Sequence, residues 1–361
     1  MIVVNYGDDI VKNTYDTLAA SDIGRYLKAN MAVALKPNLV VPCPASDGAT
    51  THTEVTEGII LFLRDFGVKD INITEGSWVG DSTIRAFKYC GYNELSEKYN
   101  IPLVDLKSDS YKMYKSAEYD IAVCDEVMDT DFLINIPVLK AHCQTRLTCC
   151  LKNLKGCIPD SEKRRFHTLG IHRPVAALNA IIKTGYCVVD GICGDLSFEE
   201  GGNPVDSKRI IAGRNPLLID SYCAELIGYA PDEIEYIVHA SEFGIGELFS
   251  GDTKLVELNA DKKPKFDLKR DRLFDNYASL IDEDSACSAC YSALVYALHR
   301  LGRSGINRSF SKSAIENKIH IGQGFKGKGG TGIGIGVCAC GFEHHVPGCP
   351  PKATDILEAL R

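Results

Sequence analysis

Short apolar runs alternate with amphipathic segments up to about residue 258. Each run stops at polar or turn-forming residues, which is typical of buried strands. The predicted strands are Ala32–Leu35, Val68–Thr74, Ile101–Leu106, Phe132–Ile136, Tyr186–Val189 and a short one near Leu255. Because helical patterns separate them, the sequence predicts an α/β fold: a mostly parallel sheet with helices on both faces.

Helix signals lie between these runs. Thr51-His52-Thr53-Glu54 predicts a capping box, and the helix after it should run through Leu63 and end at Gly67. Further helices are predicted from Ser82 to Gly91, from Pro174 to Lys183, from Leu217 to Ile227 and from Pro231 to His239.

The pattern changes after residue 258. Residues 259–285 are charged and lack periodicity, so we interpret them as a connecting segment. The sequence then predicts a helix over Ser288–Leu301, a strand over Lys318–Ile321 and a closing helix over Pro350–Leu360. The predicted organisation is an α/β domain (residues 1–258), this connection and a small cysteine-rich domain (residues 286–361).

Five cysteines are concentrated in the small domain: Cys287, Cys290, Cys338, Cys340 and Cys349. Cysteines one or two residues apart place their sulfurs around one point, and soft thiolates select zinc or iron–sulfur clusters. Cys349 is followed at once by proline, as in the closing ligand of bacterial iron–sulfur motifs. Glycines from Gly322 to Gly336 would let backbone N–H groups approach sulfide. The prediction is a 4Fe–4S cluster; structural zinc and unligated thiols are the alternatives.

Composition and charge limit the function classes. The chain has 361 residues, 45% of them hydrophobic, and a net charge of −8, which argues against binding to nucleic acid or anionic membranes. No apolar run reaches the roughly 18–20 residues that span a bilayer, and the N-terminus lacks the basic region of a signal peptide. Fifteen cysteines without a secretion signal indicate the reducing cytoplasm, in keeping with an anaerobe.

Polar groups follow four of the predicted strands. They are Lys36 and Asn38, Glu75 and Ser77, Asn135 with Lys140 and His142, and Asp190. Ligands of open parallel sheets sit beyond the carboxyl ends of the strands, so these groups predict one cleft. The cations that could hold a carboxylate or phosphate are Lys140, Lys152, Arg165, His167 and His172.

The resulting candidate catalytic residues are Lys140, His142, Lys152, Asp190 and Glu75. Glu75 or Asp190 could exchange protons with a small anionic substrate. The alternative is that several of these side chains cap helices or form solvated faces.

Other patterns favour structural explanations. The thiols from Cys143 to Cys157 are typical of buried core groups, as are His142 with Cys143 and His167 with His172, although such pairs could hold a second metal. Gly327–Gly332 lacks the order of a phosphate-binding loop, and no G-x-G-x-x-G fingerprint follows the early strands. No nicotinamide cofactor is therefore predicted.

Several short motifs occur in a fixed order between about residues 32 and 246. They are Lys36–Val40, Thr51–Val55, Thr74–Ser77, Ile136–His142, Leu151–Gly156, Val189–Gly191 and Asn215–Asp220. Their ordered co-occurrence resembles the bacterial and archaeal family called domain of unknown function 362. Many members carry iron–sulfur ligands near the C-terminus, and the tail here looks like the four-cysteine variety that ends in Gly-Cys-Pro-Pro.

The predicted cluster ligands are Cys287, Cys290, Cys349 and either Cys338 or Cys340. Cys338 is favoured because Gly336-Val337-Cys338 is similar to the glycine-preceded cysteine of the family. The leading functional hypothesis is an oxidoreductase that exchanges electrons with a small anionic substrate and a redox partner protein. The alternatives are a non-enzymatic electron carrier or redox sensor, and a non-redox isomerase or transferase with a structural metal in its tail.

Overall fold

The structure is a computed structural model that describes residues 1–116, 118–266, 268, 277–303 and 318–361. Its internal contacts divide the chain into two compact units. Unit 1 comprises Met1–Lys163 and His172–Arg270, and unit 2 comprises Arg164–Ile171 and Asp271–Arg361. The domain boundaries taken from the sequence stay a prediction, and part of the predicted connection, residues 267 and 269–276, lies outside the described residues.

Strands and helices alternate along most of unit 1. Its strands are β1 (Ile2–Tyr6), β2 (Ala32–Pro37), β3 (Asp70–Glu75), β4 (Leu103–Asp105), β5 (Tyr111–Lys115), β6 (Asp120–Cys124), β7 (Phe132–Ile136), β8 (Lys140–His142), β9 (Arg146–Thr148), β10 (Thr184–Asp195), β11 (Pro204–Gly213) and β12 (Leu255–Leu258). The helices up to residue 242 are α1 (Ile10–Ala19), α2 (Thr53–Phe66), α3 (Thr83–Tyr89), α4 (Tyr92–Tyr99), α5 (Asp125–Asp129), α6 (Cys150–Asn153), α7 (Asp160–Thr168), α8 (His172–Ile181), α9 (Pro216–Leu226) and α10 (Glu235–Glu242).

Eight strands form the large sheet of unit 1, in the order β12-β1-β11-β10-β7-β2-β3-β4. β11 runs antiparallel to both of its neighbours, and the other paired strands run parallel. The predicted α/β class with a mostly parallel sheet is confirmed. The sequence patterns missed β1 and β11, as well as the hairpin of β5 and β6.

Alternate strand positions face opposite helix layers. Leu35 and Ile134, which are paired in the register of β2 and β7, lie in the apolar core with residues of α1 and α2. The next pair, Lys36 and Asn135, must point to the other face because successive side chains of a strand alternate. Asn135 Nδ2 donates there to the carbonyl of Cys150 in α6 (2.8 Å). Helices thus cover both faces, and the polar side chains lie on the α6 side.

Helix α2 ends as predicted but does not begin as predicted. Gly67 closes it in the left-handed conformation (φ 99°). The N-cap residue is His52, whose side chain makes no capping bond, so the predicted capping box is wrong. The Thr51 hydroxyl is used elsewhere: it donates to the carbonyl of Ile136 (2.8 Å) and accepts from the backbone N–H of Asn38 (2.8 Å). Thr51 therefore ties together the chain after β2 and the end of β7.

Unit 2 contains a second, fully parallel sheet. Its strands are β13 (Ile281–Glu283), β14 (Ile319–Ile321), β15 (Gly329–Ile335) and β16 (Gly341–Val346), and its helices α11 (Ser288–Arg303) and α12 (Ala353–Ala359) pack together. Only residues 336–340 link β15 to its parallel neighbour β16, far fewer than a helical crossover needs. The strands therefore stack as successive rungs.

This stacking explains part of the glycine-rich segment. A Cβ added at Gly329 would lie 2.2 Å from the carbonyl oxygen of Gly341, and one at Gly334 would lie 1.9 Å from that of Ala339. Both glycines permit close backbone approach between rungs. Gly336 lies beside a cysteine of the tail, because a Cβ added to it would be 3.8 Å from Cys290 Sγ. None of the helices in the described ranges is long and apolar enough to cross a bilayer.

Candidate functional site

A buried ion pair joins the carboxyl ends of two neighbouring strands. Lys36 Nζ of β2 lies 2.9 Å from Glu75 Oε2 of β3, and both side chains are almost fully buried. Glu75 also accepts backbone N–H groups from Leu39 (3.3 Å) and Gly76 (2.8 Å). Lys36 Nζ donates further to the carbonyl of Pro37 (3.0 Å). Both charges are therefore paired and hydrogen-bonded, as burial requires.

Asn153, the last residue of α6, connects this pair to its neighbours. Its Oδ1 accepts from Asn38 Nδ2 at 2.8 Å and from Lys36 Nζ at 3.4 Å. Its Nδ2 donates to Asn135 Oδ1 at 2.8 Å. The amide thus bridges residues from β2, β7 and the loop after β2. Sequence reasoning did not single out Asn153, although it stands between the two lysines of Lys152-Asn153-Leu154-Lys155.

Lys140 in β8 is fully buried with neutral partners. Its ammonium donates to Asn38 Oδ1 (3.2 Å) and to the carbonyls of Ala49 (2.7 Å) and Glu199 (3.0 Å). Burial lowers the pKa of Lys140 to about 8. This amine can therefore lose or gain a proton near neutral pH, which suits a general acid or base.

Glu199, from the loop between β10 and β11, places a carboxylate between two of the predicted site residues. Its Oε1 lies 2.8 Å from Lys152 Nζ, and its Oε2 lies 2.7 Å from His142 Nε2. His142 Nδ1 accepts from the backbone N–H groups of Gln144 and Thr145 (3.1 Å each), so the proton must sit on Nε2. Glu199 Oε2 is thus the carboxylate oxygen that faces the His142 Nε2–H.

Electrostatics fix the charge states of this group. Burial lowers the pKa of His142 to about 4, so the imidazole is a neutral donor at pH 7. Although burial alone would raise the pKa of Glu199, His142 and Lys152 hold it well below its usual range. We call the residues from Lys36 to Glu199 that these contacts join the polar network: Lys36, Asn38, Glu75, Lys140, His142, Lys152, Asn153 and Glu199.

The loop that carries Glu199 is anchored at its base. Asp195 Oδ1 accepts the backbone N–H groups of Ser197 (2.7 Å) and Phe198 (2.8 Å), and its Oδ2 accepts that of Asn203 (2.8 Å). The N–H of Gly202 donates to the carbonyl of Asp47 (3.0 Å). These bonds hold both ends of the loop against unit 1 while the Glu199 side chain remains 13% exposed.

Asp190 forms a separate pair with His52. Its Oδ2 accepts from the backbone N–H of His52 (2.7 Å) and lies 2.8 Å from His52 Nδ1. Burial alone would lower the pKa of His52, but the Asp190 carboxylate raises it to about 11. The imidazole is therefore charged at neutral pH and orders the N-terminus of α2. Sequence reasoning placed His52 in a motif but did not assign it this role.

Four of the five predicted catalytic residues thus lie in one bonded network: Glu75, Lys140, His142 and Lys152. Asp190 lies within β10 of the same sheet, which continues to Asp195 and does not end at Val189 as predicted, and it pairs with His52 instead. Of the other predicted cations, His172 lies 3.9 Å from Glu235, and Arg165 and His167 belong to unit 2. Glu199 was missed, although a cluster of buried lysines requires a carboxylate to balance it.

Buried thiols form a second polar cluster in unit 1. Cys149 Sγ lies 3.9 Å from Cys150 Sγ and also interacts with Cys223, while Cys150 interacts with Cys187. All four are fully buried. Ligand atoms of Cys149, Cys150 and Asp220 lie within 4.8 Å of one another, so this group could hold a metal ion.

Four tail cysteines of unit 2 influence one another electrostatically, and Cys290 among them is partly buried. Cys290 lies at the start of α11, one turn after Cys287. Burial, and then the thiols of Cys287, Cys349 and Cys338, raise the pKa of Cys290 to about 12. Like-charged thiolates can share such a site only when a cation offsets their repulsion, so this donor set fits a metal centre.

Backbone bonds hold two of the cysteine turns side by side. The N–H of Val337 donates to the carbonyl of Gly348 (3.1 Å), next to Cys349, and the N–H of Gly336 donates to that of Val346 (2.8 Å). Gln323 Nε2 lies 3.7 Å from Cys287 Sγ. These contacts align the Cys338 turn with the Cys349 turn and supply a donor to one sulfur.

Two observations concern the kind of centre. Cys340 is exposed, and the thiols that raise the pKa of Cys290 include Cys338 but not Cys340. No three of the tail sulfurs, all of them in the described ranges, lie within 4.8 Å of one another.

Comparisons with known proteins agree with the motifs found in the sequence. A model of the family described as "Domain of unknown function (DUF362)" matches residues 33–225, more than half of the chain. The thylakoid-associated protein sll1697 of Synechocystis sp. is 30% identical over 152 residues, which cover 40% of this chain and 44% of that protein. The chain therefore matches less than half the length of this relative.

A solved structure that is similar is the lactate racemase apoprotein from Thermoanaerobacterium thermosaccharolyticum. The similarity has a TM-score of 0.42 and 12% sequence identity, and it covers 62% of this chain and 57% of that chain.

Proposed function

The chain belongs to the DUF362 family, and from that premise we propose that it is a 4Fe–4S oxidoreductase acting on a small anionic substrate. Cys287, Cys290, Cys338 and Cys349 would hold the cluster in unit 2. The polar network of unit 1 would hold the substrate. The observation that carries the proposal is that the thiols of Cys287, Cys349 and Cys338 act on the partly buried thiol of Cys290 and raise its pKa.

The tail residues support a cluster rather than a single ion. Gln323 Nε2 can donate to the sulfur of Cys287, as donors around the sulfurs of an iron–sulfur cluster do. Burial raises the pKa of the Cys338 thiol, and the cation of Lys326 partly offsets this rise. When bound, a 4Fe–4S cluster would supply one-electron transfer, and such donors and charges tune its potential.

The polar network supports anion binding in unit 1. Lys152 and His142 present donors to one carboxylate, and Lys140 adds an amine that titrates near neutrality. Such a set can orient an anion and exchange a proton with it. The proposal includes a redox partner protein. It also places the protein in the reducing cytoplasm, because all fifteen cysteines are free thiols.

Anaerobic purification tests the proposal. The expected protein is brown, contains iron and acid-labile sulfide, and gives an EPR signal on reduction. Cys290→Ser and Cys349→Ser should lose iron and sulfide, whereas Cys340→Ser, a matched control on the neighbouring turn, should retain them. Normal iron content in Cys290→Ser would reject the ligand set. A redox-silent protein between about −700 and +450 mV would reject electron transfer.

A second candidate function is acid–base isomerase or transferase chemistry with a structural metal in the tail. The pKa of Lys140, lowered to about 8 by burial, favours it, because an amine of that pKa is an effective proton carrier. Zinc in place of iron, with no labile sulfide, would favour this function over the first. A non-enzymatic electron carrier would instead exchange electrons but bind no small anion.

A further inference from the structure

The Glu199 carboxylate occupies the position that a bound anion would take in the polar network. Its two oxygens are divided between Lys152 Nζ (2.8 Å) and His142 Nε2 (2.7 Å), a two-point contact that suits a planar carboxylate. The donors around it come from separate elements: Lys152 from α6 and His142 from β8. Glu199 itself comes from the loop between β10 and β11.

The receiving side of this contact is rigid and buried. His142 is 1% exposed and Lys152 is 5% exposed. Two backbone N–H groups fix the His142 ring through Nδ1, and the Thr148 hydroxyl lies 3.2 Å from Lys152 Nζ. These donors are therefore oriented without help from Glu199, as in a preformed binding site.

The Glu199 side is the replaceable one. The Glu199 side chain is the more exposed partner, at 13% against 0% for His142 and 5% for Lys152. Rotation of one side chain would free both donors, because the loop itself is held by Asp195 and Gly202.

We propose that Lys152 and His142 form a binding site for the carboxylate of a small molecule, and that Glu199 is a tethered stand-in which the ligand displaces. The inference rests on the proposed function because it names the class of substrate that the unit 1 site binds. It does not require the cluster in the tail. Lys140 borders the site, since its ammonium contacts the Glu199 carbonyl (3.0 Å). A proton carrier would therefore stand beside the bound carboxylate.

The tethered carboxylate makes the wild-type site a weak binder. An external carboxylate must compete with Glu199, so the apparent affinity falls by the fraction of time that the site is free. Removing Glu199 removes this competition and leaves the two buried donors without their carboxylate acceptor, which costs stability that a small carboxylate can restore.

Chemical rescue tests the inference. Propionate, which has the shape of a glutamate side chain, is titrated into wild type, Glu199→Ala and the matched control Glu200→Ala, which removes the neighbouring exposed carboxylate of the same loop. Glu199→Ala should unfold at a lower temperature than wild type and regain stability in propionate but not in chloride of equal ionic strength. It should bind propionate at least about tenfold more tightly than wild type or Glu200→Ala.

Other outcomes would overturn the inference. Equal propionate affinity in Glu199→Ala and wild type, or rescue by chloride, would reject a carboxylate site. Tighter binding of inorganic phosphate than of propionate would reject the ligand class. If Glu199→Ala does not fold, Glu199→Gln, which keeps the shape without the charge, must show the same order of affinities or the inference fails.

A cluster-free background separates this inference from the proposed function. Propionate binding by Glu199→Ala combined with Cys290→Ser should persist without iron. If the protein is redox-silent but still binds propionate, only the oxidoreductase proposal is rejected. If the protein shows normal redox behaviour but does not respond to carboxylates, only the carboxylate site is rejected.

Discussion

Lys36 and Glu75 form an ion pair of 2.9 Å whose side chains are 0% and 4% exposed. They come from the carboxyl ends of β2 and β3, strands that pair in parallel. The pair is the innermost part of the polar network, because Asn153 joins it to Asn38 and thereby to Lys140. The Lys36–Glu75 pair thus helps to fix the positions of Asn153, Asn38 and Lys140.

Breaking this pair on one side should be costly. Glu75→Ala leaves the Lys36 ammonium buried without its counter-charge, so we expect a loss of about 3–5 kcal/mol in the free energy of unfolding. Urea unfolding measures it. Lys98→Met is the control: Lys98 forms an ion pair with Glu57 at the surface and should change stability little. A loss as small as that of the control would show that Lys36 finds other partners.

Gly156 should tolerate no side chain. A Cβ there would lie 2.3 Å from Glu75 Oε1 and 2.6 Å from Lys36 Nζ, so Gly156→Ala must push the ion pair apart. We expect a loss of about 1–3 kcal/mol or more in urea unfolding. Gly251→Ala serves as the control, because nothing lies within 4 Å of its added Cβ. Equal stability of the two variants would contradict the close approach.

The pair of His52 and Asp190 should make stability depend on pH. The folded-state pKa of His52 is raised from 6.5 to about 11, so the folded chain holds this proton more tightly than the unfolded chain. The stabilisation is fully present below about pH 6.5 and is lost as the pH rises toward 11. Within that window this group lowers the free energy of unfolding by up to about 1.4 kcal/mol per pH unit.

The His52→Asn variant isolates this contribution. Lys140, whose pKa is lowered, gives an opposing slope above about pH 8, so wild type alone cannot be interpreted. We expect the stability difference between wild type and His52→Asn, measured by urea unfolding, to shrink steadily from pH 6.5 to pH 10. A difference that stays constant with pH would exclude a charged His52.

Strands with mainly apolar sequences, such as Phe132–Ile136, were predicted because they are buried on both faces of the sheet, although β1, which is also fully buried, was missed. The patterns missed β11, which begins at the partly exposed Pro204–Lys208. They also misjudged Thr51, because a hydroxyl near a helix start can cap the helix or bond a distant strand, and only tertiary contacts decide.

The candidate site was predictable where a strand end supplied the residue. Lys36, Glu75 and Lys140 follow strands of one sheet, so strand order alone places them together. Glu199 lies in a loop ten residues after Val189, the end of the nearest predicted strand, and its inward position depends on the hydrogen bonds of Asp195. The assignment of the tail cysteines as cluster ligands, including the choice between Cys338 and Cys340, stays a prediction.

Asp220 should control the position of α6 and therefore the position of Lys152, the donor of the polar network that α6 carries. Its carboxylate accepts the backbone N–H groups of Cys150 (2.7 Å) and Leu151 (3.0 Å), which begin the helix that carries Lys152. Asp220→Ala leaves both N–H groups buried without an acceptor, so we expect a loss of about 2–4 kcal/mol in urea unfolding. Asp220→Asn retains one acceptor oxygen and should lose less, while Asp232→Ala, at an exposed aspartate, should match wild type. If Asp220→Ala unfolds like wild type, or binds propionate unchanged in the Glu199→Ala background, α6 is positioned by other contacts.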